Sequence, residues 1–146
     1  MKRIIDYRKL LGVTKTTTLA ELKTTYRNLM KDWHPDKFQD ETQKAEAEET
    51  SKKIIAGYHF LVSISRETIA ADADEYAVTI ASAIADYEHK GVNLMVKFAN
   101  GSSYEYFGVP RSVYIKLVNS DSQTRFARRH IYSSYVYRKV AKLATV

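Results

Sequence analysis

Cysteine is absent from this chain of 146 residues. Disulfide bonds, thiol catalysis and zinc knuckles are therefore excluded. Four histidines are present, but none forms a helical pair or joins a carboxylate at metal-site spacing: His34, His59, His89 and His130. A serine elbow, a phosphate-binding loop and a dinucleotide-binding glycine pattern are also missing. We therefore expect a protein that is not an enzyme and that uses no metal or cofactor.

Long apolar runs are missing as well. No segment approaches the roughly 20 apolar residues that a membrane span needs. The N-terminus mixes Asp6, Arg8 and Lys9 with apolar side chains and so lacks the hydrophobic segment of a signal peptide. Hydrophobic residues still make up 45% of the chain, enough to form a core. We expect a folded, cytoplasmic protein with no membrane partner; its oligomeric state stays open.

Charge is distributed unevenly along the chain. Residues 1–75 contain 13 basic and 13 acidic side chains, whereas residues 76–146 contain 10 and 4 and carry the whole net charge of +6. The second half also holds 8 of the 11 tyrosines. This shift indicates two units with different partners, and we place their boundary near Glu75. The stretch from Arg66 to Ala77 lacks glycine and proline, which predicts a helical or semi-rigid join.

Two amphipathic helices are predicted in the first half. A capping box at Thr18 and Glu21 opens the first helix, which runs from about Leu19 to Trp33. Its apolar stripe consists of Leu19, Leu22, Tyr26, Leu29 and Trp33. The second helix begins near Asp40 and buries Ala47, Ile54, Tyr58 and Leu61. Helices joined this way pack as an antiparallel hairpin, which a short helix ended by Gly12 can cap.

Pro35 interrupts the helical pattern between these two helices. Proline cannot donate to the helical ladder and pushes His34 out of the helical region, so residues 34–39 must be a loop. The preceding helix carries a basic stripe at four-residue steps, formed by Lys23, Arg27 and Lys31. A basic stripe alone is most often a solvated face, and a lone histidine is most often structural. The functional interpretation therefore depends on the stripe and the loop together.

His34-Pro35-Asp36, placed between a basic helix and a second helix, resembles the signature of J-domains. Three further segments match the opening, the second helix and the third helix of that family: Asp6-Tyr7 with Leu10-Leu11-Gly12-Val13, Glu21-Leu22-Lys23 with Tyr26-Arg27, and Tyr58 with Leu61. The resemblance covers about residues 4–65. Three positions depart from the family pattern: Arg8 replaces an aromatic, Phe38 replaces a commonly polar residue, and Arg66-Glu67-Thr68 fits the fourth helix poorly.

The resemblance implies a co-chaperone that performs no chemistry itself. J-domains dock their basic helix on an acidic surface of a DnaK-type chaperone, and the loop then promotes ATP hydrolysis there. Asp36 would pair with an arginine of the chaperone, His34 would add a hydrogen bond, and Pro35 would hold the turn. The residues expected to bind the chaperone are Lys23, Arg27, Lys31, His34, Pro35, Asp36 and Lys37.

The second half is predicted to be a small α+β domain. Ile80, Ser82, Ile84 and Asp86 would lie on one side of a first strand, and Leu94, Val96 and Phe98 on one face of a second. Asn100-Gly101 predicts a hairpin turn into a strand over residues 103–107. Pro110 opens a helix with an apolar face of Val113, Tyr114, Leu117 and Val118, and residues 125–131 form another. We therefore expect an all-α helical hairpin over residues 1–75. Over residues 76–146 we expect a three-stranded antiparallel sheet with two helices and a last extended piece near residues 135–140.

The segment Tyr104-Glu105-Tyr106-Phe107-Gly108-Val109-Pro110, followed by Tyr114, Phe126 and Ile131, resembles the KTSC domain over about residues 79–140. That family is named for a segment of some lysyl-tRNA synthetases, and RNA binding has been suspected for it. Gln123 and Ala127 stand where the family usually has glycine and asparagine. Because Tyr104 and Tyr106 share one face of a strand, both are core residues or both are exposed, and core is favoured.

Basic side chains crowd the C-terminal stretch, and tyrosines lie among them. The candidate nucleic-acid-binding residues are Arg125, Arg128, Arg129, Tyr132, Tyr135, Arg138 and Lys139, with Tyr137 and Lys142 nearby. Cations neutralise phosphates and exposed rings stack on bases, which makes RNA a candidate partner. The same arginines can serve solubility alone. The leading hypothesis is a J-domain co-chaperone whose basic domain selects a location or cargo. The alternative is a nucleic-acid-binding protein whose J-like half only docks proteins.

Overall fold

The computed structural model describes residues 2–140, which fall into two compact units. The first unit ends at Thr68 and the second begins at Ile69. The boundary expected near Glu75 lies inside a helix of the second unit. No helix within residues 2–140 is both long and apolar enough to cross a membrane.

The N-terminal unit is entirely helical, as predicted. Its helices are α1 (Lys2–Leu11), α2 (Leu19–Trp33) and α3 (Glu41–Ile64), with one 3₁₀ turn at Pro35–Lys37. A short helix, α4 (Arg66–Ala71), crosses the boundary between the two units. The join is thus helical, as its composition predicts, although it resembles the usual fourth helix of the family poorly.

Local sequence sets the end of α1 and the start of α2. Gly12 has a φ of +68°, its N–H bonds the carbonyl of Lys9, and the N–H of Val13 reaches back to the carbonyl of Arg8. This pair of bonds ends α1 in the left-handed conformation that glycine adopts readily. At the start of α2, Thr18 Oγ1 accepts from the N–H of Glu21 at 3.2 Å. The Glu21 carboxylate accepts from the Thr18 hydroxyl, not from a backbone donor, so the capping box is half formed.

Helix α3 packs against both α1 and α2 in the N-terminal unit. Its buried side includes Ala47, Ile54 and Leu61, all three predicted. Tyr58 is half-buried and stacks on Tyr26 of α2, with ring centroids 4.1 Å apart and an interplanar angle of 11°. Gly57 lets α1 approach α3 closely, because a Cβ there would lie 2.8 Å from the Tyr7 ring. The antiparallel hairpin and its capping helix are therefore tightly packed.

The C-terminal unit is α+β, as expected, but its sheet has four strands. The elements in chain order are α5 (Ala73–Ile80), β1 (Ile84–Lys90), β2 (Asn93–Phe98), β3 (Ser103–Phe107), α6 (Arg111–Asn119), α7 (Gln123–His130) and β4 (Val136–Val140). The strands pair antiparallel in the order β1-β2-β3-β4. The extended piece expected near residues 135–140 is the fourth strand, because it pairs with β3 along its whole length.

Two further details of this unit differ from the sequence expectations. Ile80 and Ser82 do not belong to a strand: Ile80 ends α5 and β1 begins only at Ile84. The physical reason is that α5 turns Tyr76 and Thr79 into the core on successive helical turns, which a strand cannot do. Val118, predicted on the apolar face of α6, is exposed, whereas Leu117 is buried.

One face of the sheet carries the core of the C-terminal unit. Leu94, Val96 and Phe98 of β2 are fully buried, as their alternation predicts. Tyr104 and Tyr106 of β3 are also buried, so the face that they share packs in the core, as favoured from the sequence. The hairpin between the two strands forms at Asn100-Gly101 as predicted, with Asn100 Oδ1 accepting from the N–H of Ser102 at 3.0 Å.

Two tyrosine hydroxyls, those of Tyr76 and Tyr106, are hydrogen-bonded to each other in this core. The Tyr76 hydroxyl donates to the Tyr132 carbonyl at 2.7 Å, so its contact with the Tyr106 hydroxyl at 2.9 Å makes Tyr106 the donor there. The Tyr76 ring also stacks on Tyr137 with centroids 4.0 Å apart. Burial raises the pKa of the Tyr104 and Tyr132 hydroxyls to about 12 and raises the pKa of Tyr76 and Tyr106 further.

Candidate functional site

The loop after α2 is a short, hydrogen-bonded turn. His34 takes an extended conformation, with φ −62° and ψ 129°, as the following proline requires. The N–H of Lys37 then bonds the carbonyl of His34 at 3.0 Å, and the N–H of Phe38 bonds that of Pro35 at 3.1 Å. With the ring of Pro35 fixing one φ angle, these bonds hold the tripeptide in one backbone conformation.

His34 and Asp36 are linked at the tip of this turn. The backbone N–H of Asp36 donates to His34 Nδ1 at 3.2 Å, and Asp36 Oδ2 lies 3.6 Å from the same nitrogen. An accepting Nδ1 places the proton of the neutral imidazole on Nε2, which is then a donor. The two side chains are 53% and 83% exposed. The turn therefore presents one hydrogen-bond donor and one carboxylate to solvent.

A buried serine fixes the base of the loop. Ser51 of α3 is 6% exposed, and its hydroxyl donates to the carbonyl of Trp33 at 2.8 Å. Trp33 ends α2, so its carbonyl has no partner within the helix. Sequence reasoning missed Ser51, because the only signal was one small polar residue on the buried side of α3.

The basic stripe lies on an exposed face of α2. Lys23, Arg27 and Lys31 are all exposed, and within residues 2–140 none of them makes an ion pair. Lys37 in the loop is also exposed. The structure therefore places the basic side chains of the predicted docking set on the surface, together with exposed His34 and Asp36 and a half-buried Pro35.

The C-terminal candidate residues do not form one surface. Tyr132 is 1% exposed, so its ring cannot stack on a base, and this part of the expectation is wrong. Arg128 donates to the carbonyls of Ile80 and Ala81 at 3.2 and 2.9 Å, which satisfies the end of α5. Packing and helix capping thus account for both residues.

Two more of these cations are paired within the same unit. Arg138 Nε lies 2.9 Å from Glu105 Oε1, and Lys139 pairs with Glu75. Arg125 and Arg129 remain exposed without an ion pair in the described part of the chain, and Tyr135 is half-buried. Lys142 lies outside the described residues.

Metal binding finds no support in the described residues. Within residues 2–140 no group of three or more histidine, aspartate or glutamate side chains lies close enough to hold an ion. His89, the most enclosed histidine, bonds the Val109 carbonyl through Nε2 at 2.8 Å and stacks on Tyr114. Packing therefore explains this histidine.

The short helix α1, the helical pair of α2 and α3, and the turn at His34-Pro35-Asp36 agree with the J-domain resemblance of the N-terminal residues. The comparison with known families agrees. The family model of the DnaJ domain matches residues 6–69, and that of the KTSC domain matches residues 81–135. The chain therefore carries a DnaJ domain followed by a KTSC domain, as the sequence analysis predicts.

Individual relatives match through a short segment. The chain is 43% identical over 56 residues to "DnaJ protein P58IPK homolog A" of Oryza sativa subsp. japonica, a match covering 38% of this chain and 11% of that protein. It is 45% identical over 56 residues to "Chaperone protein DnaJ" of Thermoplasma volcanium, covering 38% and 15%. The same identity holds over 58 residues for "Chaperone protein DnaJ" of Hydrogenobacter thermophilus, covering 40% and 15%. The chain thus matches only a small part of each relative's length.

Proposed function

We propose that the protein is a non-enzymatic co-chaperone that binds a DnaK-type chaperone and stimulates its ATPase. The observation that carries this proposal is the exposed, hydrogen-bonded turn of His34 and Asp36, which directly follows α2 and its basic stripe; within residues 2–140 that stripe makes no ion pair. The DnaJ domain and the relatives named for DnaJ support a chaperone partner in general.

In this proposal the basic stripe contributes to docking, and Asp36 contributes to triggering ATP hydrolysis. Exposed cations at four-residue steps attract an acidic surface and speed encounter, but each exposed pair contributes only about 0.2–1 kcal/mol. Asp36 is different, because its exposed carboxylate makes no ion pair with a lysine or arginine within residues 2–140, so an arginine of the partner can reach it. A charge-assisted bond of this kind strengthens when the partner covers it and excludes water.

A steady-state ATPase assay tests the proposal. The full-length protein should raise the ATP hydrolysis rate of a purified DnaK-type chaperone, and His34→Gln should abolish the increase. Circular dichroism melting of the variant should match the wild type, since the His34 side chain is half exposed and bonds only within the loop. A wild-type protein that leaves the rate unchanged would contradict the proposal.

The KTSC domain would supply localisation or cargo, and RNA is one candidate. Among the candidate cations within residues 2–140, Arg125 and Arg129 are exposed and make no ion pair, and they lie four residues apart on α7. The alternative function, a nucleic-acid-binding protein with a merely docking J-like half, rests on the same two arginines. A gel-shift titration with single-stranded RNA over a salt series tests both ideas. Binding that weakens with salt and with Arg125→Gln/Arg129→Gln supports an RNA partner, and no binding at low salt excludes it.

A further inference from the structure

Two aromatic side chains flank the His-Pro-Asp turn. Trp33, the single tryptophan of the chain, precedes the turn, and its side chain is 39% exposed. Phe38 follows the turn and is half-buried. The two rings face each other loosely, with centroids 6.4 Å apart and an interplanar angle of 28°. We call Trp33 and Phe38 the aromatic pair.

The aromatic pair has a fixed position relative to the turn. The carbonyl of Trp33 is bonded to buried Ser51, and the N–H of Phe38 is bonded to the carbonyl of Pro35. The backbone groups of both residues are therefore held by hydrogen bonds on either side of His34 and Asp36. An aromatic surface that is already ordered loses little conformational entropy when a partner covers it.

We propose that the aromatic pair is an apolar contact for the same DnaK-type chaperone, beside the arginine that Asp36 would pair with; this inference rests on the proposed function. The other groups presented around the turn are charged or polar: the basic stripe, His34, Asp36 and Lys37. Interfaces commonly place an aromatic anchor at their centre and charged groups at the rim. Covering the rings also keeps water away from Asp36, which strengthens its charge-assisted bond.

The aromatic pair would also let this chain discriminate between different DnaK-type chaperones. A chaperone with an apolar side chain opposite Phe38 gains contact area, whereas one with a polar group there loses a hydrogen bond to water. The turn still carries out the triggering step, so the aromatic pair affects the strength of docking and not the maximal rate.

The test is a titration of full-length variants against a purified DnaK-type chaperone with ATP. Trp33→Ala combined with Phe38→Asn should raise the concentration for half-maximal ATPase stimulation by roughly tenfold with the maximal rate retained. Trp33→Phe and Phe38→Leu, which keep apolar surface, should stay close to the wild type. Leu10→Ala is the matched control, since Leu10 is 38% exposed and lies on α1, a different helix from the one that leads into the turn.

Docking can also be observed directly at the single tryptophan. Protein labelled with 5-fluorotryptophan gives one fluorine resonance, which should shift or broaden when the ATP-bound chaperone is added. An unmoved resonance, or a half-maximal concentration changed by less than about twofold in the double variant, overturns the inference. The proposed function is tested separately, because it stands if the wild type stimulates hydrolysis while Asp36→Asn does not. If the wild type gives no stimulation, both proposals fail.

Discussion

The hydroxyl of Ser51 donates to the carbonyl of Trp33 at 2.8 Å and ties the end of α2 to the buried side of α3. The Trp33 carbonyl lies in the last turn of α2, where the helix itself supplies no donor, so the Ser51 hydroxyl takes the place of a helical N–H. The relationship links residues 18 positions apart and places the turn relative to the longest helix of the unit. The loop geometry therefore depends on a residue outside the recognised signature.

Ser51→Ala should destabilise the N-terminal unit by about 1–2 kcal/mol, because a buried acceptor loses its partner. Trp33 fluorescence in a urea titration measures this, since the single tryptophan reports on that unit alone. Thr24→Ala is the control, because the Thr24 hydroxyl bonds the Ala20 carbonyl on an exposed part of α2. Equal effects of the two substitutions would show that Ser51 has no special anchoring role.

Removing Arg27 and Lys31 together should weaken docking on a DnaK-type chaperone about fivefold, because two exposed ion pairs of roughly 0.5 kcal/mol each are lost. The measurement is the concentration for half-maximal ATPase stimulation at low and high salt. The variant should be less sensitive to salt than the wild type, since fewer charges are left to screen. Lys15→Ala with Lys53→Ala removes the same charge elsewhere, and a matching loss there would contradict a localised docking stripe.

Tyr76→Phe should destabilise the C-terminal unit by about 2 kcal/mol. The substitution leaves the Tyr132 carbonyl and the Tyr106 hydroxyl without their partner in the core. Far-UV circular dichroism during urea unfolding should show an earlier transition, while the Trp33 fluorescence transition stays in place. Tyr135→Phe serves as the control, because Tyr135 is only half-buried. An unchanged dichroism transition in Tyr76→Phe would rule out an energetic role for the two hydrogen bonds of the Tyr76 hydroxyl.

The tyrosine core should make the C-terminal unit sensitive to high pH. Burial raises the pKa of Tyr104 and Tyr132 to about 12, above the unfolded value of about 10. Below pH 10 both states are protonated and the stability is fully present. As the pH rises from about 10 towards 12, only the unfolded state loses these protons, so stability falls. Tyrosinate absorbance and circular dichroism recorded together should show the buried tyrosines ionising as the unit unfolds. Ionisation of all tyrosines near pH 10 in a folded protein would contradict this.

Much of the fold was predictable from short stretches of sequence. Helix α2 has the bounds that Thr18 and Pro35 indicate, and the β2–β3 hairpin forms where Asn100-Gly101 predicts it. The sequence pattern predicts a first strand that begins too early, because Ile80 and Ile84 fit either a helical or an extended pattern. The side chains packed around α5 decided between the two.

The sequence by itself determined where α2 ends and where the His34-Pro35-Asp36 loop lies along the chain, because proline, capping residues and helical spacing act over a few residues. Only the tertiary structure decided which charges and rings are available to a partner. Arg138 pairs with Glu105, 33 residues away, and Lys139 pairs with Glu75, 64 residues away. Tyr132 is buried in the core. The local sequence pattern reveals none of these three contacts. The physical reason is that backbone conformation depends on near neighbours, whereas burial and ion pairing depend on what the folded topology brings together.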